Sequence, residues 1–247
     1  MKRIFDFILS LIGLIISSPV LIPVIFLVWI NDWHSPFYIA QRVGKGEKPF
    51  KMIKLRSMII NADKSGVDST SSNDKRITVV GRFIRSYKLD ELSQLWNVLI
   101  GDMSLVGPRP NVKRETDLYT SEEKKLLSVK PGITDFSSIV FSDEGEILKN
   151  QSDPDISYNQ LIRPGKSMLG IFYIENRNLV IDMKLIYLTV VAIISKQKAL
   201  NSLSLILKKL NASDLLIEIA KREKPLTPMP PPGATKIVTN REGRIEY

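Results

Sequence analysis

The sequence predicts a monotopic membrane protein of α/β class, with an N-terminal re-entrant helical hairpin, a small cytosolic α/β domain and amphipathic helices in the membrane interface. Three observations carry this. An almost uncharged apolar strip runs from Phe7 to Val28 and is interrupted by Ser17-Ser18-Pro19. Strand-like pieces between residues 36 and 60 give way to helical periodicity after Ile77. Two more amphipathic stretches follow, at residues 179–195 and 203–220.

The strip FILSLIGLIISSPVLIPVIFLV can occupy a hydrocarbon layer that takes roughly 20 residues per helical span. A wholly buried core helix is the plainer alternative, but such helices are usually shorter and keep a polar edge. Lys2 and Arg3 give the start a superficial likeness to a signal peptide. The strip exceeds the usual apolar region of such a peptide, no small-x-small cleavage signal precedes Asn31, and Trp29 and Trp33 look like interface anchors. Positive charge also follows the strip, at Arg42, Lys45, Lys48, Lys51, Lys54 and Arg56, with Glu47 the only acid between Arg42 and Arg56. A simple span would put one basic cluster on the wrong side. Pro19 and Pro23 remove backbone donors, so the helix is expected to bend here, and Ser17 and Ser18 can cover the carbonyls this frees. Arms of about 14 residues reach roughly 20 Å each, enough to enter a bilayer and turn back. Prolines also occur in kinked single spans, so pattern alone leaves both topologies open.

Beyond the anchor, FYIAQRVG and KMIKLRSMII read as two short strands joined by a loop from Gly44 to Pro49. Residues 61–76 are polar, small and free of aromatics, which predicts a mobile loop. Phe83, Ile84, Tyr87, Leu92, Leu95, Trp96 and Leu99 recur at three- and four-residue steps, and Gly101-Asp102 stops that helical run. Thr120-x-x-Glu123 is a capping box opening a second helix, ended by Pro131-Gly132. ITDFSSIVF then reads as strand-like, an acidic patch follows, and Arg163-Pro164-Gly165 reads as a turn. Asp182 and Lys184 interrupt the apolar run at 179–195, which favours an amphipathic helix over another span. PLTPMPPPGATK predicts an extended or disordered tail.

A chain of 247 residues has room for one domain with a real core, a membrane element and a tail. Its formal charge of +9, from 35 basic and 26 acidic residues, suits anionic lipid or a phosphorylated substrate beside a membrane. No zinc-finger spacing or other nucleic-acid motif supports a nucleic-acid partner. Without cysteine there is no thiolate chemistry, and His34 alone cannot build a histidine-rich metal centre. A carboxylate, Ser or Thr is left as the protein nucleophile.

Asp90-Glu91 is the first pair that could carry chemistry, with Arg82, Arg85 and Lys88 around it. Adjacent carboxylates do not face one point on a regular helix, but at a helix start or kink one could attack while the other holds a divalent cation. The plainer reading is a solvated acidic pair balancing its basic neighbours. Pro108-Arg109-Pro110 could present one guanidinium from a rigid turn to grip phosphate, although most such turns are structural, and Asp102 is as suited to capping as to metal. Lys54 and Arg56 share one face of a likely strand and could meet a diphosphate or simply be wet. There is no P-loop, dinucleotide glycine run or metalloprotease His pair.

The combination is more specific than its parts. The positive N-terminus, the apolar hairpin broken at Ser18-Pro19, FKMIKLRSM at 50–58, ITVVGRFIRSYKLDELSQLWNVLIGDMSLVGPRP at 77–110 and KPGIT at 130–134 together closely resemble the bacterial sugar transferase family, over roughly residues 1–196. Its members are monotopic polyprenyl-phosphate phosphoglycosyl transferases of the bacterial inner membrane, with the catalytic domain facing the cytoplasm. The resemblance implies transfer of a sugar 1-phosphate from a UDP-sugar to undecaprenyl phosphate with release of UMP, the first membrane step of surface glycan synthesis. It further implies that Asp90 attacks the sugar-bearing phosphorus to form a covalent phosphosugar intermediate, and that Glu91 associates with Mg2+. The turn Pro108, Arg109 and Pro110, with Lys54, Arg56, Arg82 and Arg85, is expected to position phosphates. On this reading residues 1–34 are the hairpin and junction, 35–196 the catalytic domain and 197–247 an amphipathic and proline-rich extension. Anionic membrane lipids and a second copy of the chain are further expected partners. Many relatives follow Pro-Gly-Ile-Thr with Gly and a segment ending in Asn-Gly-Arg, whereas here Thr134 leads into DFSSIVFSDEGEIL, a region that can select the sugar. A catalytically silent scaffold of a polysaccharide assembly complex is the alternative, and the intact Asp90, Glu91 and Arg109 argue against it.

Overall fold

A computed structural model describes residues 1–65 and 69–240 of the chain. Part of the loop expected at 61–76 and the last residues of the tail, 241–247, lie outside the described residues.

Helix α1 runs unbroken from Lys2 to Asp32 with Pro19 and Pro23 inside it. Pro19 has no N–H for the Ile15 carbonyl, and the Ser18 hydroxyl donates to that carbonyl instead, at 2.8 Å. The chain thus stays helical where the sequence predicts two arms. Asp6, Ser10, Leu21, Val24 and Val28 form its buried face, while Ile12, Ile15, Ile16, Val20, Ile22 and Phe26 remain exposed. Both ends are fixed to the same domain. Lys2 Nζ meets Asp182 at 2.5 Å, Arg3 donates to the carbonyls of Val98 and Leu99 at 2.5 and 2.6 Å, and buried Asp6 accepts from Ser104 Oγ and Leu105 N. At the other end, Asp32 pairs with both terminal nitrogens of Arg56, at 2.5 and 2.6 Å. An apolar helix tied at both ends to one domain is a monotopic membrane element.

Strands β1 (Phe37–Val43) and β2 (Pro49–Leu55) pair antiparallel, Phe37 opposite Leu55, around the expected loop. The run expected as one helix is three: α2 (Val79–Ser86), α3 (Leu89–Leu92) and α4 (Leu95–Ile100). Lys88 interrupts it in the left-handed region, with φ 53°. Asn97, fully buried on α4, accepts from Ile53 N and donates to Lys51 O, so it completes the hydrogen bonding of β2. Gly101, with φ 100°, ends α4 as the sequence predicts.

Strand β3 (Ser104–Val106) lies parallel to β4 (Gly132–Thr134), and α5 (Lys113–Thr116) falls between them in the chain. The capping box forms, with Thr120 N to Glu123 Oε2 and Glu123 N to Thr120 Oγ1 both at 3.1 Å, but it opens a 3-10 segment, Glu123–Ser128. The expected strand ITDFSSIVF stops at Thr134. Asp135 accepts from Ser138 N at 2.7 Å and caps α6 (Phe136–Val140), so a side-chain bond overrides the strand-like pattern.

Short helices α7 (Glu144–Ile147) and α8 (Pro154–Ser157) precede a π-helical turn at Tyr158–Ile162. Arg163-Pro164-Gly165 is not a turn but the start of α9 (Arg163–Asn176), where proline costs no hydrogen bond. Next come α10 (Leu179–Ile194), α11 (Lys196–Lys209) and α12 (Asp214–Lys221), the last two replacing the single stretch expected at 203–220. Phe136, Ile139, Leu169, Tyr173, Leu185, Leu200 and Leu203 build the main core. Beyond α12 the chain lies extended across the domain. Pro232 O accepts from Thr120 Oγ1, Val238 O accepts from Gln160 Nε2, and Val238 itself is buried.

Candidate active site

One broad cleft, about 1420 Å³, opens between β1, β2 and α3 on one side and the segment 135–146 with Tyr158 and Lys166 on the other. The break at Lys88 matters here, because it places Asp90 and Glu91 in the first turn of a new, short helix instead of on the flank of a long one. Ser93 Oγ contacts the carbonyl oxygens of Asp90 and Ile53 at 3.0 and 3.2 Å and holds this helix against β2.

Each carboxylate has its own cation. Lys54, from β2, brings Nζ to 3.8 Å from Asp90 Oδ2. Arg109 donates to Glu91 Oε1 at 2.6 Å and to the Ile133 carbonyl at 3.3 Å, so the proline-flanked turn fixes its guanidinium between α3 and β4. Burial pushes the Glu91 carboxyl up, but Arg109, Lys88 and Lys54 outweigh it and hold the pKa at about 2. Glu91 in turn strengthens the charge on Arg109. Burial, with Arg109 beside it, lowers Lys54 to about 8, and Asp90 and Glu91 pull the other way. Asp90 is thereby a part-buried carboxylate beside a partly desolvated ammonium.

The other basic residues predicted for the site divide. Arg85 lines the cleft and donates to Ser57 Oγ at 3.0 Å, while Arg82 lines it from an exposed position. Arg56 also lines the cleft, but its guanidinium is engaged by Asp32 at the end of α1. Pro108 and Pro110 are buried on either side of Arg109. Sequence reading missed Arg42, Glu144, Lys166 and Tyr158, which line the same cleft. Arg42 was visible only as one of a basic cluster and Glu144 only as part of an acidic patch. Lys166 binds Glu144, and despite its burial Glu144 is held below the usual carboxylate range by Lys166, Arg109 and Lys54.

Among the described residues no three His, Cys, Asp or Glu side chains converge as a metal cage. Magnesium rarely needs one, since it commonly takes one or two carboxylates together with substrate phosphates. Arg109 engages Glu91 Oε1 and leaves Oε2 outside that bond, so the hard-oxygen donors of the Asp90-Glu91 pair fit the ion.

The sequence pattern of the family described as bacterial sugar transferase matches residues 1–196, which include the anchor and every residue of the Asp90 site. The chain belongs to the bacterial sugar transferase family. This sugar transferase is 46% identical over 121 residues to a Bacillus subtilis (strain 168) protein whose name proposes undecaprenyl-phosphate N-acetylgalactosaminyl 1-phosphate transferase activity, covering 49% of this chain and 68% of that one. It is 32% identical over 207 residues to the exopolysaccharide production protein ExoY of Sinorhizobium fredii, covering 78% of this chain and 84% of that one. To the UDP-glucose:undecaprenyl-phosphate glucose-1-phosphate transferase of Klebsiella pneumoniae it is 35% identical over 193 residues, covering 76% of the sugar transferase and 39% of that longer protein. The family match ends where α11 begins, so α11, α12 and the extended tail lie beyond it.

Proposed function

We propose that the sugar transferase moves a sugar 1-phosphate from a UDP-sugar to undecaprenyl phosphate through a covalent intermediate on Asp90, releasing UMP. The observation that carries this reading is the pairing of adjacent carboxylates with separate cations, Asp90 with Lys54 and Glu91 with Arg109, at the wall of one cleft. Asp90 Oδ attacks the sugar-bearing phosphorus, and the bond from that phosphorus to the bridging oxygen breaks as UMP leaves. An oxygen of undecaprenyl phosphate then attacks the same phosphorus, and the carboxylate of Asp90 is restored as the lipid diphosphate sugar departs.

Lys54 stands beside Asp90, and Arg109, Arg42 and Arg85 supply fixed positive charge where negative charge gathers. Glu91 orients Arg109 and would hold Mg2+ with the diphosphate oxygens, an ion that supplies further charge neutralisation when bound. The exposed apolar face of α1 enters and leaves one leaflet as a re-entrant element, and the apolar outer face of α10, at Val180, Met183, Tyr187, Val190 and Ile194, rests in the same interface. With both ends of α1 fixed to the domain, the anchor sets Asp90 at the height where a polyprenyl phosphate presents its headgroup. The domain then faces the cytoplasm, on the side of the basic flanks.

Detergent-solubilised protein incubated with a panel of UDP-sugars, undecaprenyl phosphate and Mg2+ should release UMP with a preferred sugar. Asp90→Asn should release none. Labelled sugar phosphate, supplied without lipid acceptor, should stay on the wild-type chain and not on the variant. Full activity in Asp90→Asn would sink the nucleophile, and silence of the wild type across the whole panel would favour a scaffold.

A further inference from the structure

The carboxylates grouped around the reacting pair are each answered by a partner. Asp90 faces Lys54, Glu91 faces Arg109, Glu144 faces Lys166, Asp143 faces Lys196 and Arg222, and Asp135 accepts from the hydroxyls of Ser137 and Ser138. Glu115 differs. It lines the same cleft, and its Oε2 is buried with no hydrogen-bond partner. Of the cations near it, Arg163 and Arg114, the first gives its hydrogen bonds to Glu123, Asn159 and the Leu118 carbonyl. The Tyr119 hydroxyl, also on this wall, accepts from Asn111.

A buried acceptor without a donor is a cost to the free protein, and it is removed when a ligand brings the missing hydrogen. Phosphate cannot do so, because an ionised phosphate offers only acceptors and would be repelled. A sugar hydroxyl or the imide N–H of a uracil can. Glu115 sits in α5, a few residues after the Pro108-Arg109-Pro110 turn, and both segments line the cleft. Tyr158 lines the wall as well, and burial together with Glu144 and Glu115 keeps its phenol protonated as a donor.

Resting on the transfer reaction proposed above, we infer that Glu115 is a specificity-determining acceptor for a hydroxyl or imide donor on the non-phosphate part of the UDP-sugar. Losing a hydrogen bond to a charged group costs roughly ten- to a hundredfold in affinity. Glu115→Ala should raise KM for the preferred UDP-sugar about tenfold or more while kcat stays within about threefold. Glu115→Gln keeps an acceptor and should lose less. The ligand-free variants should melt no lower than wild type, because a buried carboxyl oxygen without a hydrogen bond has been removed, whereas a structural role would lower the melting temperature. UMP inhibition separates the two sources of the donor. Unchanged inhibition with raised KM assigns Glu115 to the sugar, and equally weakened inhibition assigns it to the uracil. Unchanged KM and inhibition, or lowered melting with KM unchanged, overturns the inference. Calorimetric binding of the UDP-sugar to Asp90→Asn protein, with and without Glu115→Ala, reads Glu115 independently of turnover, and equal affinities overturn it. Wild-type turnover with an unaffected Glu115→Ala refutes only this inference, while absent wild-type turnover refutes the transfer reaction.

Discussion

At the scale of single residues, the adjacent carboxylates Asp90 and Glu91 are matched to different cations, Lys54 and Arg109. Lys54 is the more sensitive half of this arrangement, because burial brings its pKa down to about 8. As pH rises through 8 the free protein loses the charge beside Asp90, so kcat/KM should fall on the alkaline side with an apparent pKa near 8. Lys54→Arg keeps the charge and should move that limb well upward in a pH profile of UMP release. Glu91 titrates in the opposite sense. Its folded pKa of about 2 lies below the ordinary 4.5, so the stability it contributes is full above about pH 4.5 and is lost as pH falls toward 2. Urea unfolding at pH 5 and pH 3 should show a larger acid loss for wild type than for Glu91→Gln.

At the scale of elements, close backbone contacts decide where the site's parts sit. A Cβ on Gly132 would lie 2.1 Å from Gly107 N, so β4 can reach β3 and present the Ile133 carbonyl to Arg109 only with glycine there. Gly132→Ala should cost about 1–3 kcal/mol in denaturant unfolding and, by displacing Arg109, lower UMP release further than the stability loss explains. Lys88 acts through its backbone in the same way, since its left-handed conformation starts the helix that carries Asp90. In α1 a hydroxyl substitutes for a lost backbone donor. Ser18→Ala would leave the Ile15 carbonyl without that partner beside Pro19.

At the scale of the molecule, the anchor and the tail approach the domain from opposite ends of the sequence. The ties of Lys2 to Asp182 and of Asp32 to Arg56 hold both ends of α1 to the same domain, as the proposed re-entrant topology requires. Single cysteines placed at Lys2 and Lys45 should both resist a membrane-impermeant thiol reagent applied from outside intact cells, and labelling of only one would indicate a span. The tail binds Thr120 and Gln160, which flank the buried Glu123–Arg163 pair and the turn carrying Tyr158. Removing residues from Pro225 onward should lower the melting temperature and raise KM for the UDP-sugar, with membrane association unchanged because α1 is untouched.

The sequence by itself determined the features that rest on local physics. The apolar length of α1, the β1–β2 pair, the stop at Gly101, the Thr120–Glu123 capping box and the adjacency of Asp90, Glu91 and the Arg109 turn all depend on side-chain chemistry at short spacing. It misread ITDFSSIVF and Arg163-Pro164-Gly165, because short apolar or proline-glycine runs are ambiguous until a cap or a packing neighbour chooses. Only the tertiary structure decided which charges meet. It committed Arg56 to Asp32 and Arg109 to Glu91, brought Glu144 and Lys166 to the cleft, and left Glu115 Oε2 without a hydrogen-bond partner. Those outcomes depend on distances between elements far apart in the chain and on burial. Periodicity and composition encode neither.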